Sequence, residues 1–250
     1  MCIDSPRSHA LVIGGTHGLG LELARQCLRH DVDPVIVGRP KSTETGRVID
    51  GRGVAVAHAS IEDDASVQAM VDRLAPNSQP LDFDLLFYCP GKRLKGAYRN
   101  HDNATVQESF GVNLFGCMNV VRHFHRRRQR SYHLIVIAST TSWRTRDDEA
   151  VYGAAKAALA QFARNFHNEL IRDQPKSKTL IVHPGGMRTP FWDGSGVDTS
   201  KFLDPAVVAE IIWDEINAQS LGKQNALTEL HVLRCSDGNP VVERGAKTPQ

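Results

Sequence analysis

Apolar residues along this chain gather into short runs over residues 10–13, 34–39, 53–59, 82–88, 134–138, 179–183 and 227–233. Each run is rich in β-branched or other apolar side chains and is bounded by polar residues, glycine or proline, which is the pattern of a buried strand. Between the runs the spacing changes to that of helices. Leu19, Leu21, Leu23, Ala24, Cys27 and Leu28 give the first an apolar side. A second covers about 63–74 and is closed by Pro76. Phe110, Leu114, Cys117, Val121 and Phe124 keep helical spacing within 104–128. An alanine-rich segment starts near Val151, continues through Phe162, Phe166 and Leu170 to about Asp173, and is stopped by Pro175. A last helix is expected over 205–219. Strands alternating with helices predict an α/β domain: a doubly wound parallel sheet of about seven strands, with helices on both faces. No repeat or linker divides the chain, so residues 1–250 are expected to form a single domain.

Ligands of such sheets bind at the carboxyl ends of the strands. Gly14, Arg39, Gly91, Ser139 and Pro184 all fall at those ends, so one composite site is expected there. After the first strand comes Gly14-Gly15-Thr16-His17-Gly18-Leu19-Gly20, opening the first helix. Strand, glycine turn and helix together suit a dinucleotide pyrophosphate, because glycine permits close backbone approach and the helix start presents free N–H groups. The spacing is Gly-x-x-x-Gly-x-Gly, and a glycine turn without a nucleotide is the alternative. The second strand ends in Gly38-Arg39, with Lys41 close behind, where an NAD site would want an acid. A guanidinium there suits a 2′-phosphate, so NADP(H) is favoured over NAD(H), with help from His17. A plain surface arginine is the other reading.

Tyr152 and Lys156 are four apart, so a helix stacks them on one face. An ammonium beside a phenol favours the phenolate and brings the group toward general acid/base work. Ser139, at a strand end, could hydrogen-bond the reacting oxygen. Tyr-x-x-x-Lys also occurs by chance on helices, so the pair alone decides little.

Composition narrows the classes. The formal net charge is +2, too small to argue for nucleic acid. The apolar fraction of 41% is that of a globular protein, and no apolar run is long enough to span a bilayer. The start, Met1-Cys2-Ile3-Asp4-Ser5-Pro6-Arg7, lacks a secretory h-region. Five scattered cysteines without metal spacing fit thiols in a reducing cytoplasm, and no metal is expected. The run Arg126-Arg127-Arg128-Gln129-Arg130 reads as a solvated cap on a helix C-terminus, with an anion-binding patch as the alternative.

With these motifs in order, the chain resembles the short-chain dehydrogenase/reductase family over nearly its whole length. Gly14, Gly18 and Gly20 match the family's glycine motif, Asn113 its helix asparagine, and Ser139, Tyr152 and Lys156 its serine and Tyr-x-x-x-Lys. Pro184-Gly185 with Thr189 matches the motif after strand six. The resemblance implies a Rossmann-type NAD(P)-binding domain and hydride transfer between a nicotinamide and a carbonyl or alcohol carbon. Tyr152 would donate the proton, and Lys156 would favour its ionisation and bind the nicotinamide ribose. Ser139 would orient the carbonyl, Asn113 would hold a water linked to Lys156, and Thr189 would bind the carboxamide. Thr16, His17, Leu19, Ser60, Ile61, Cys89, Pro90, Gly91 and Met187 complete the expected cofactor contacts. Ile13, Ser60 and Cys89-Pro90 depart from the family's usual residues, as does the segment after Leu233.

An NADPH-dependent ketoreductase of a small metabolite is therefore expected, in the cytoplasm and as a homodimer or homotetramer. Ala157, Ala160 and Ala163 permit close helix pairing, and core packing explains them equally well. A silent NADP(H)-sensing protein and an NAD-linked alcohol dehydrogenase are the alternatives. The loop near 187–201 is assigned to the substrate. Arg93, Tyr98, Trp143, Arg144, Arg188 and Trp192 fall in segments the family uses around it, which would suit an aromatic or acidic ketone.

Overall fold

The computed structural model describes residues 8–40, 44–235 and 239–247. The N-terminal heptad with Cys2, and Lys41, lie outside the described residues. Among the described residues nine strands are formed: β1 (His9–Ile13), β2 (Asp33–Gly38), β3 (Gly46–Ile49), β4 (Arg52–His58), β5 (Leu85–Tyr88), β6 (His133–Ile137), β7 (Lys178–Pro184), β8 (Leu227–Arg234) and β9 (Pro240–Arg244). They make one sheet in the order β3-β4-β2-β1-β5-β6-β7-β8-β9. Every neighbouring pair from β4 to β8 is parallel. The helices are α1 (Gly18–Arg29), α2 (Asp64–Leu74), α3 (Asn103–Phe110), α4 (Gly116–Arg127), α5 (Ala150–Asp173) and α6 (Pro205–Ser220).

The sheet separates two cores, and β1 shows why. Leu11 and Ile13 join the core that holds Val67 and Met70 of α2, Phe124 of α4 and Leu159 and Ala163 of α5. Ala10 and Val12 join the one with Leu23 of α1 and Ile212 of α6. Alternate side chains of a strand point to opposite faces, so a strand covered on both sides must be apolar throughout. Ala160 and Ala163 are buried in the first core.

The seven parallel strands match the expected ones, and two antiparallel edge strands extend them. β3 returns on β4 through Asp50 and Gly51, both at positive φ (49° and 78°). Such a two-residue Asp-Gly turn is a hairpin signal, and β3 is too short for its alternation to show. β9 pairs antiparallel with β8, Val242 opposite Val232.

The single helix expected over 104–128 is two helices joined by a π-helical turn, Gly111–Phe115. Beneath this turn the Tyr88 hydroxyl donates to the Val112 carbonyl at 2.6 Å. A Cβ on Gly116 would lie 2.6 Å from that hydroxyl, so glycine keeps the two elements together. The basic run that follows is a solvated cap only in part: Arg126 and Arg130 are exposed. Arg128 is buried and donates to the Leu81 carbonyl and Asp84, while Arg127 binds Asp72 and the Ala75 and Gln79 carbonyls. The arginines tie the end of α4 to the loop before β5, whose carbonyls have no strand partner. The described cysteines, Cys27, Cys89, Cys117 and Cys235, are free thiols. Burial pushes the Cys89 thiol up to about 12, so it stays protonated.

Candidate active site

A cleft of about 1060 Å³ opens along the carboxyl ends of the parallel strands. At one end, β1 runs into the glycine turn. Gly14 and Gly18 have positive φ (75° and 55°), and a Cβ on Gly20 would sit 2.3 Å from the Gly14 carbonyl oxygen. Only glycine lets α1 start this close to β1. The α1 N-terminus faces the cleft through His17, Gly18, Leu19 and Gly20. Its unpaired N–H groups form a ready anion site.

Gly38 ends β2 against the same turn, where a Cβ would be 2.8 Å from the Thr16 methyl. No acidic side chain fits there. Arg39 follows, exposed at the cleft edge. Sequence reasoning missed its neighbours. Arg47, on β3, donates to the Thr16 carbonyl at 2.8 Å and holds both carboxylate oxygens of Glu44 at 3.0 Å. His58 contacts the Arg39 and Glu44 carbonyls at 3.0 and 2.6 Å. Glu44-x-x-Arg47 before an Asp-Gly turn was the available signal.

The middle of the cleft holds Cys89, Pro90 and Gly91 after β5, Ser139 after β6, and Tyr152 and Lys156 on α5. Lys156 is buried and donates to the Ile137 carbonyl at 2.9 Å and the Pro90 carbonyl at 3.3 Å. Burial brings its ammonium down to about 8. Tyr152 is also buried. Desolvation pushes its phenol well above the ordinary tyrosine value, while Ser139 and Arg93 act in the opposite direction. Burial is thus the largest influence on the phenol, ahead of Ser139 and the Arg93 guanidinium. The Ser139 hydroxyl accepts from the Thr141 amide and hydroxyl at 3.2 and 3.0 Å, which caps a short 3-10 turn and fixes its direction.

Of the expected cofactor contacts, Thr16, Ile61, Pro184, Gly185, Met187 and Thr189 also line the cleft. Ser60 does not, and neither does Asn113, expected among the catalytic residues. The Ser60 amide instead donates to Ser66 near the start of α2. Asn113, fully buried, grips the Lys92 backbone, accepting from its amide at 3.1 Å and donating to its carbonyl at 2.8 Å. A second amide bond reaches the Ser109 carbonyl. Its amide therefore positions the loop after β5. Among the substrate-side candidates, Arg93, Arg144 and Trp192 line the cleft. Tyr98 is exposed outside it, Trp143 packs edge-on against His231, and Arg188 is bound to Asp204 and the Phe202 carbonyl.

Behind Ser139 lies a buried polar network that sequence reasoning also missed. His183 of β7 meets the Ser142 hydroxyl at 2.7 Å and the Ser139 carbonyl at 3.2 Å through Nδ1. Its Nε2 meets Glu229 of β8 at 3.1 Å, and Arg164 of α5 holds both Glu229 oxygens at 2.7 and 2.8 Å. These partners outweigh burial and hold the Glu229 carboxyl down at about 2. His231, opposite His183 in the sheet, stacks on it at 4.5 Å with 12° between the rings. His183, Glu229 and His231 are close enough to share a cation. Parallel stacked rings send their in-plane lone pairs side by side rather than to one point, and Arg164 already occupies the carboxylate. The arrangement is an ion-pair network bracing the Ser139 turn. Polar residues alternating along an otherwise apolar β8 were the signal for it.

Residues 8–198 match a family model described as short chain dehydrogenase. An uncharacterized oxidoreductase of Staphylococcus saprophyticus is 25% identical over 206 residues, 80% of this chain and 87% of that protein. The ketoacyl reductase HetN of Nostoc is 24% identical, covering 88% of this chain and 79% of its own. A short chain dehydrogenase from Burkholderia cenocepacia, solved in complex with NADP, superposes with a TM-score of 0.75 at 21% identity, over 93% of this chain and 97% of that one.

Proposed function

This chain belongs to the short-chain dehydrogenase family, and from that premise we propose that it reduces a carbonyl group on a small metabolite using NADP(H). One observation carries the reading: Ser139, Tyr152, Lys156, the glycine turn and the α1 N-terminus all face one cleft. The cleft residues fit the cofactor. The turn at Gly14, Gly18 and Gly20 admits a pyrophosphate, and the helix start supplies donors to it. At the far corner Arg47 neutralises Glu44, which leaves the Arg39 guanidinium to set the sign of the charge. That favours a 2′-phosphate.

When bound, NADPH supplies a hydride. The chain's own residues supply position and a proton. Ser139, held by Thr141, directs its hydroxyl at the carbonyl oxygen. Tyr152 gives its phenolic proton to that oxygen as negative charge develops there. Burial of the phenol keeps it protonated, and so able to donate, at neutral pH. Lys156 spends two of its three donors on the Ile137 and Pro90 carbonyls, which leaves one for a ribose hydroxyl.

The test is NADPH consumption with a carbonyl panel. Tyr152→Phe should lower kcat by about a hundredfold or more, the scale of general acid/base loss. Near-normal turnover in that variant sinks the assignment, and NADPH binding without turnover in the parent points to a sensing protein. Arg39→Asp should weaken NADPH far more than NADH. Equal effects on both would misplace the 2′-phosphate, and turnover only with NAD and alcohols would favour the reverse direction. The proposal includes a homodimer or homotetramer, supported by Phe115 and Met118, which stand exposed at the start of α4 and are checked by light scattering. It also includes a cytoplasmic location. Among the described residues no helix is long and apolar enough to cross a membrane.

A further inference from the structure

The substrate half of the cleft carries an excess of fixed positive charge. Arg93, Lys95, Arg144, Arg146 and Arg234 line it, against the carboxylates of Asp147 and Glu149. Three of these guanidinium groups lie on aromatic rings: Arg93 over Trp192 at 4.8 Å, Arg144 over Trp143 at 4.4 Å and Arg234 over Phe202 at 4.8 Å. Stacking occupies the face of a guanidinium and leaves its in-plane N–H donors available.

Arg93 is the best placed of them. The Asn113 side chain clamps the backbone of the preceding residue, Lys92, from both sides. Trp192, beneath Arg93, is packed edge-on against Phe191 and Phe202 at 5.4 and 4.9 Å. Phe191 in turn lies 5.8 Å from the Tyr152 ring. The guanidinium is thus linked to the phenol through the Trp192 and Phe191 rings, and its charge acts on Tyr152. Its Nε is buried and has no hydrogen-bond partner, and no carboxylate pairs with Arg93 among the described residues. Burial also closes Nε to a ligand, so the terminal guanidinium nitrogens are the donors left for an anion in the cleft that Arg93 lines.

We propose that the substrate is a carbonyl compound bearing a carboxylate, and that the Arg93 fork binds this carboxylate while the carbonyl oxygen meets Tyr152 and Ser139. This rests on the carbonyl-reduction reading and names its substrate class. A planar fork matches a planar carboxylate, and the aromatic wall of Phe191 and Trp192 accepts the apolar part.

The test uses 2-oxo-4-phenylbutanoate and its ethyl ester, which differ in charge and little in the ring. With NADPH, the acid should show a kcat/KM at least about tenfold above the ester, the discrimination of one charge-assisted bond. Arg93→Met should bring that ratio toward one, and Arg93→Lys should keep part of it, because the charge remains but the fork is lost. Binding of both probes to the NADPH-loaded protein, read by tryptophan fluorescence, gives the same discrimination without turnover. NADPH binding by each variant shows that it is folded. Equal handling of acid and ester by the parent protein, or an unchanged ratio in Arg93→Met, overturns the proposal and leaves carbonyl reduction standing. Acid-selective binding without reduction of any carbonyl does the reverse.

Discussion

Replacing Glu229 by alanine should destabilise the protein and slow it at the same time. The carboxylate receives two bonds from Arg164, at 2.7 and 2.8 Å, and one from His183 at 3.1 Å. His183 is almost fully buried, with its side chain 1% exposed, so its Nε2 would be stranded without water. That costs about 1–3 kcal/mol. Arg164 is 30% exposed and can partly rehydrate, so its share is discounted to about 1 kcal/mol. The total is about 3 kcal/mol, or roughly 6–12 °C in Tm for a chain of this size. His183 also holds Ser142 and the Ser139 carbonyl. Loosening it lets the Ser139 hydroxyl wander, and misplacement of a positioning group costs rate. Thermal and urea melts with steady-state kinetics read both effects. Glu229→Gln, which keeps the shape and loses the charge, should fall between the two proteins. A Tm for Glu229→Ala within about 2 °C of the parent would refute the reasoning, because removing one partner of a buried pair leaves the other uncompensated.

Acid should weaken the fold in a defined window. Burial lowers both His133 and His231 from 6.5 to about 4. Between those values the unfolded chain takes up protons that the folded one refuses, so stability falls as pH drops from 6.5 toward 4 and is unaffected by these groups above 6.5. Each contributes at most about 3 kcal/mol, and a urea midpoint that does not move between pH 7 and pH 4.5 contradicts this. Glu229, held near 2, adds its own loss only below its ordinary value of 4.5. Gly20→Ala should abolish tight cofactor binding, since the new methyl group meets the Gly14 carbonyl at 2.3 Å. An unchanged NADPH dissociation constant, by fluorescence enhancement, would show that the turn gives way without cost.

The alternation of apolar runs with helical spacing was enough to find all seven parallel strands, because strands covered on both faces must be apolar from end to end, and it found the helices apart from the break between α3 and α4. Local chemistry marked Gly14, Gly18 and Gly20, the Ser139 turn and the Tyr152–Lys156 pair, since each depends on neighbours a few residues away. What the linear order could not carry was anything built between distant elements. β9 pairs across a loop, and Arg127 and Arg128 at the end of α4 look solvated until the loop before β5 folds onto them. Asn113 meets Lys92 only once β5 lies beneath the π-helical turn. Arg47 comes to the Arg39 corner only because β3 folds back on β4, and His183 finds Glu229 only because β7 and β8 lie side by side in register. Burial adds what spacing does not show: four residues set Lys156 and Tyr152 on one helix face, and desolvation then raises the phenol more than Ser139 and Arg93 lower it. Spacing along a chain specifies which residues can be neighbours on one element. Solvent exclusion and contacts between elements belong to the folded whole, and they decide how those neighbours behave.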